Sequence, residues 1–232
     1  MTWTTHIHAT PAELATHAAS MLEACIRDAL ATRGRAVLAL AGGQTPWPVY
    51  RTLAQADLDW SRVLLVPTDE RCVPLTHAAR NEAAIERAFE AADGVQVLHL
   101  VPADGDATQA QAYARQALAA VDGDFDAVVL GMGGDGHTAS LFPGATALPG
   151  AMAGDAPDAL RIDPQPLPPE APFPRITLTL PRLLRARAIH LLVTGEAKRA
   201  VLQRAQVSGD AIALPVAAVL HADGDVQVHW SP

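Results

Sequence analysis

The chain is poor in what staples many small proteins together and in what several ligand classes require. Its only two cysteines, Cys25 and Cys72, have no C-x-x-C spacing, which excludes a disulfide framework and a thiolate zinc site. Acidic residues outnumber basic ones, giving a formal net charge of -8, and a field of that sign attracts neither nucleic acid nor an anionic membrane surface. No apolar run approaches the roughly 18 residues that a transmembrane helix needs. The start, MTWTTHIHATPAEL, lacks the basic-then-apolar pattern of a secretory leader, so a cytoplasmic protein is expected. Lysine is almost missing, since Lys198 is the only one among 17 basic residues. The hydrolase signatures G-x-S-x-G and H-E-x-x-H do not occur, and no ligand cluster has metal spacing, so no metal and no organic cofactor is expected.

What is present reads as one α/β domain spanning residues 1–232. Half of the residues are apolar, enough for a full single core. Thr10-Pro11-Ala12-Glu13 has the capping-box pattern, with proline at the first helical position. Leu14, Ala18, Met21, Leu22, Cys25, Ile26 and Ala29 then recur at helical spacing, which predicts an amphipathic helix. The runs RAVLALA, RVLLVPT, VQVLHL, FDAVVLG, ITLTL, AIHLLVT and DVQVHW follow, separated by helix-length segments. Runs that are apolar throughout predict a mostly parallel sheet covered on both faces. Residues 143 to 174 are too rich in proline and glycine for regular elements and are expected to be an irregular loop.

Ligands of an open parallel sheet sit beyond the carboxyl ends of its strands, so the residues after each run are the candidates. After FDAVVL comes GMGGDGHTASLFPG, residues 131 to 144, whose first six positions match the dinucleotide spacing G-x-G-x-x-G. A dinucleotide loop needs a helix directly after the third glycine and an acidic residue about 20 positions on. Only HTASLF separates Gly136 from Pro143, and Asp155 falls in the irregular region. The glycines are better read as a sharp turn that lets backbone approach a ligand and presents Asp135 and His137 at a strand tip. His137 is the candidate general base and Asp135 a candidate to orient it, the alternative being that His137 caps a turn.

Three further stretches carry charge or backbone donors. Gly42-Gly43-Gln44-Thr45-Pro46 forms either an N–H nest for a phosphate or a plain strand-to-helix turn. Thr68-Asp69-Glu70-Arg71 is a solvated corner or a set of ligand contacts. Lys198, in GEAKR after AIHLLVT, supplies a compact point charge suited to phosphate, with chance as the competing explanation. Arg175, in PFPRITLTL, either clamps an anion bidentately or pairs with a surface carboxylate.

Taken in order and spacing, AGGQTP, TDERCVPLTHAARN, GMGGDGHTASLFPG, PRITLT and GEAKR resemble the 6-phosphogluconolactonase family over nearly the whole chain. The resemblance implies a Rossmann-like, three-layer α/β/α fold shared with glucosamine-6-phosphate deaminase. It implies hydrolysis of 6-phospho-D-glucono-1,5-lactone to 6-phosphogluconate in the pentose phosphate pathway, without metal or cofactor. It makes His137, Asp69 and Arg71 the candidate catalytic residues. Gly42, Gly43, Gln44, Thr45, Asp135, Gly136, Arg175 and Lys198 become candidate substrate contacts, with Gly43, Thr45 and Lys198 helping to hold the phosphate. The family's first loop usually reads GGSTP, so Gln44 keeps the backbone nest but loses a hydroxyl. The expected partner is a small sugar-phosphate lactone, bound by a monomer or weak homo-oligomer.

Two other readings stay open on the residues. An isomerase or deaminase of the same fold would need an acid–base pair, which in the deaminases includes an acidic residue soon after the histidine; Thr138 to Pro149 contains no carboxylate. A non-catalytic sugar-phosphate sensor would keep the pocket without the chemistry, and the presence of His137, Asp69 and Arg71 together speaks against it.

Overall fold

The structure, a computed structural model, describes residues 3–164 and 172–232. In chain order the elements are β1 (Trp3–Ile7), α1 (Pro11–Arg33), β2 (Ala36–Leu40), α2 (Pro46–Leu53), β3 (Val63–Pro67), β4 (Asp69–Arg71), α3 (Asn81–Ala88), β5 (Gln96–Val97) and α4 (Ala110–Leu118). They continue with β6 (Ala127–Gly131), α5 (Leu148–Met152), β7 (Ala159–Ile162), β8 (Arg175–Leu178), α6 (Leu180–Leu184), β9 (Ile189–Thr194), α7 (Glu196–Ser208), α8 (Val216–Leu220) and β10 (Val226–Ser231).

Among the described residues, seven strands form one parallel sheet in the order β1-β10-β9-β6-β2-β3-β5. The continuous apolar runs have the predicted cause. In β2, Ala36, Leu38 and Leu40 pack with Leu14, Leu22 and Ile26 of α1 and Val49 and Leu53 of α2. Val37 and Ala39, pointing the other way, join Leu118 of α4, Val201 of α7 and Val219 of α8. A strand buried on both faces needs no alternation, and the result is the expected three layers. Helix α1 begins where the capping pattern put it: Thr10 Oγ1 accepts the Glu13 N–H at 3.1 Å, and the Glu13 carboxylate accepts the Ala9 N–H at 3.0 Å.

The strand order reverses once. From β2 the chain builds outward through β3 to β5, whereas from β6 it builds the other way through β9 to β10. The loops after β2 and β6 therefore diverge from adjacent strand ends and open a crevice, the place where α/β sheets bind ligands.

Several expectations need correction. The run ITLTL is not in the parallel sheet; β8 is the middle strand of a separate antiparallel sheet ordered β4-β8-β7, and its alternating sequence fits that setting. The run VQVLHL contributes only the two residues of β5. The polar-looking start is a true strand, β1, paired with β10 at the sheet edge. The proline-rich stretch 143 to 174 is not irregular throughout, because α5 and β7 lie inside it; the part from 165 to 171 falls outside the described residues.

The small sheet is tied directly to the large one. Thr68 donates its N–H to Leu40 of β2 at 3.0 Å and accepts the Leu178 N–H of β8 at 2.8 Å, so β4 and β8 stand just beyond the carboxyl end of β2.

Candidate active site

The loop after β6 turns back on itself. Gly133 accepts the Gly136 N–H at 3.1 Å and donates to the His137 carbonyl at 2.9 Å, which lifts residues 134 and 135 to the tip. A side chain at position 133 would collide with the His137 ring, so glycine is required there for the imidazole to lie flat on the loop. Asp135 Oδ1 accepts both the His137 backbone N–H at 3.1 Å and a 2.6 Å hydrogen bond with Nδ1. That second bond fixes the tautomer with the proton on Nδ1 and leaves Nε2 as the basic nitrogen. Burial by itself raises the Asp135 carboxyl, but the bonds and charge of His137 outweigh it and hold the group below its ordinary range. The other face of the ring meets Phe142, with centroids 4.4 Å apart.

The loop after β2 supplies backbone donors. Gly42 approaches so close to the side chain of Asn81 that a Cβ would clash, while Gly43 and Gln44 are exposed at the mouth of the cleft. Thr45 starts α2, and its Oγ1 lies 3.1 Å from Oγ1 of Thr194, the last residue of β9. This contact brings the N-termini of α2 and α7 together, so two positive helix ends border the same space. Lys198 lies in the first turn of α7, half-buried; burial lowers its ammonium below the ordinary lysine value, with Asp135 pulling the other way.

The small sheet adds two guanidinium groups. Arg71 of β4 sits directly opposite Arg175 of β8, an arrangement of like charges that destabilises a bare cross-strand pair. Arg71 donates to the Ala79 carbonyl at 2.9 Å but leaves its buried Nε without a partner among the described residues. Arg175 lies over the Phe142 ring at 5.1 Å, so it and His137 share that aromatic wall. Asp69 is buried, bound by Ser140 Oγ at 2.5 Å and 3.9 Å from Arg175 Nη1. Ser140 is brought there by Ala139, whose φ of 48° is in the left-handed region that alanine ordinarily avoids.

These parts enclose one cleft of about 380 Å³, and His137, Asp69, Arg71, Gly42, Gly43, Gln44, Thr45, Arg175 and Lys198 all line it. Two expected contacts do not. Asp135 stands behind the imidazole, and Gly136 is buried against Leu214. Asp135, not Asp69, is the carboxylate bonded to His137. Asn81 lines the cleft although its residue type alone offered no reason to choose it; its Nδ2 donates to the Asp69 carbonyl at 2.9 Å.

Glu70, between Asp69 and Arg71, faces away from the cleft. Its oxygens accept the N–H groups of Arg71, Asn81 and Glu82 at 2.7, 2.8 and 2.7 Å. Burial and then the nearby Glu82 push its carboxyl up to about 8, while those three donors pull it down. Fully buried Arg80 bonds Glu82 Oε2 at 2.6 Å, lies 3.6 Å from Glu70, and donates to the carbonyls of Val73, Val101 and Pro102.

The expectation that no metal-ligand cluster exists is also corrected. Folding brings one ligand nitrogen each of His8, His17 and His229 within 4.8 Å of one another, away from the cleft. Spacing along the chain could not reveal this, since the three come from opposite ends of the sequence.

The profile of the family described as glucosamine-6-phosphate isomerases/6-phosphogluconolactonase matches residues 9–230. Relatives include a 6-phosphogluconolactonase of Rhizobium meliloti (strain 1021), 36% identical with 98% of each chain covered. One of Caulobacter vibrioides is 39% identical, covering 92% of this chain and 91% of the relative. Among solved structures, a 6-phosphogluconolactonase from Shewanella baltica OS155 superposes with a TM-score of 0.92 at 32% identity, over 100% of this chain and 98% of the other. A monomeric glucosamine-6-phosphate deaminase shares the fold, with a TM-score of 0.79 at 22% identity. Among the described residues, no helix is long and apolar enough to cross a membrane.

Proposed function

Because the chain belongs to the glucosamine-6-phosphate isomerase/6-phosphogluconolactonase family, we propose that its cleft hydrolyses 6-phospho-D-glucono-1,5-lactone with water activated by His137. The observation that carries this reading is the meeting, at the sheet's reversal point, of an Asp-oriented imidazole with three cationic side chains.

In this mechanism Nε2 of His137 takes a proton from water as the oxygen bonds to the lactone carbonyl carbon. Arg175, which shares the Phe142 wall with His137, and Arg71 beside it stabilise the oxyanion that forms. The carbon–ring oxygen bond then breaks, and the imidazolium returns its proton to that oxygen, giving the open-chain acid and a free hydroxyl. Asp69 and Ser140 hold the Arg175 side of the site in place. No covalent nucleophile is required, because a δ-lactone is already strained toward opening.

The phosphate lies between the Gly42–Thr45 loop and Lys198, where two helix N-termini and one ammonium converge. Gln44 preserves the backbone donors there. The protein works in the cytoplasm as a single domain over 1–232, as a monomer or weak homo-oligomer that needs no nucleic acid.

The decisive experiment generates the lactone in place and follows 6-phosphogluconate. Hydrolysis well above the spontaneous rate is expected. An unaccelerated rate, or release of ammonia from glucosamine 6-phosphate instead, overturns the reading.

A further inference from the structure

A second constellation of titratable groups lies at the edge of the large sheet, and the lactonase chemistry does not use it. His6 of β1 is paired in register with His229 of β10, and His8 follows two residues later on the same side. His17, on the second turn of α1, closes over them: its ring centroid is 4.9, 5.2 and 5.7 Å from those of His6, His8 and His229. None of these residues lines the cleft.

The bonding capacity left over is informative. His229 Nε2 is 3.2 Å from His190 Nδ1, so its other nitrogen, Nδ1, is the one free to bind elsewhere. That Nδ1 is buried and has no hydrogen-bond partner among the described residues, and neither has the buried Nε2 of His8. Leaving such atoms unbonded is costly, so two orphans facing a third imidazole point to a missing ligand. His6 is less available, since its Nε2 bonds Gln227 Oε1 at 2.7 Å. Neutral imidazole is the form that binds metal, and each of the three rings offers one nitrogen to the same space.

We propose that His8, His17 and His229 bind one divalent transition-metal ion, zinc fitting best, which clamps β1 and α1 to β10. Three imidazoles suit zinc and its borderline neighbours, and poorly suit magnesium or calcium. A Zn–N bond of about 2.0–2.1 Å places tetrahedral ligands roughly 3.4 Å apart. The 4.8 Å spread therefore closes by side-chain rotation, which exposed His17 is free to make. Glu13, one turn earlier on α1 and close enough to act on His8, places negative charge near the ion. The role is structural: the ion joins a strand, a helix and a distant strand, and lies apart from the reacting groups.

The test uses the tag-free chain, stripped with chelator and then titrated with Zn²⁺ by calorimetry and with Co²⁺ by visible absorption. One saturable equivalent, the intense bands of tetrahedral cobalt and a rise in Tm with zinc are expected. His17→Ala removes an exposed ligand, so it should keep the metal-free Tm and the lactonase rate while binding zinc about tenfold or more weakly. His8→Gln repeats the loss from another element. Absence of a saturable equivalent in the parent chain overturns the proposal, as does binding by both variants as tight as the parent's.

Discussion

Three consecutive charged residues of β4 go to two different places, and the contrast between those places separates chemistry from architecture. Asp69 and Arg71 face the open cleft, whereas Glu70 faces a sealed network with Arg80 and Glu82. Both sides carry carboxylates and guanidinium groups. In the network, Glu70 meets three backbone donors and the guanidinium of Arg80 reaches two carboxylates and three carbonyls, so no bonding capacity remains for a ligand. In the cleft, like-charged Arg71 and Arg175 stand opposite each other, Arg71 Nε has no partner among the described residues, and Lys198 has been drawn below its ordinary pKa. A group of charges that has satisfied itself is a support. One that keeps a donor open, as Arg71 does at Nε among the described residues, is placed to meet a ligand.

The largest effect expected from breaking this contrast lies in the network. Arg80→Met strands buried acceptors on β4, α3 and two loops, and such a loss costs about 3–5 kcal/mol of stability, read from urea unfolding. A loss below about 1 kcal/mol would show that the network contributes little. In the cleft the same kind of truncation should leave the fold alone. His137→Ala is expected to keep its Tm while turnover falls by about a hundredfold or more, the span of general-base catalysis. A correctly folded variant with near-parental turnover would remove His137 from the mechanism.

Lys198→Ala sharpens the division within the cleft between holding and reacting. Losing one charge-assisted contact of about 1.5–3 kcal/mol corresponds to a tenfold to hundredfold fall in kcat/KM, carried mainly by KM. Glucono-1,5-lactone without phosphate should be affected far less; equal losses for both lactones would move the phosphate elsewhere. The smallest effect is a pH dependence. Lys198 is charged only below its folded pKa, which burial sets under the ordinary 10.5, so affinity for 6-phosphogluconate should weaken as pH rises through a value below 10.5. Calorimetry across alkaline pH checks this, and a parallel decline in Lys198→Ala would assign the titration to another group.

How far the sequence spoke depended on whether the signal was local. The central strands were legible because burial on both faces forces an unbroken apolar run, as in AVLAL and IHLLVT. β1 was not, since WTTHI is an edge strand with two exposed threonines, and β4 was not, since DER is a strand only by virtue of its pairing with β8. The segment around α5 and β7 hid two elements among prolines, which punctuate chains without forbidding short structure between them. Within the site, residues at strand ends were found, and those whose role rests on a distant contact were misjudged or missed. Asp135, expected both to orient His137 and to touch substrate, does the first and not the second; Asn81, which nothing in the sequence singled out, reaches the cleft from α3, whose first N–H groups Glu70 holds. The histidine cluster is the extreme case, assembled from residues 8, 17 and 229.

The edge pairing of β1 with β10 also sets a timetable. Trp3 lies opposite Val226, so β1 cannot take its place beside β10 until more than two hundred further residues have been synthesised. Such a non-local closure is slow, and until it happens the underside of α1 at that edge lacks part of its cover. The strands β2, β3, β6 and β9 can pair among themselves much earlier, because each meets its neighbour without waiting for residues 226 to 231. On the nascent chain the crevice between β2 and β6 can therefore take shape while the edge of the same sheet is still unfinished, and β1 joins β10 only afterwards.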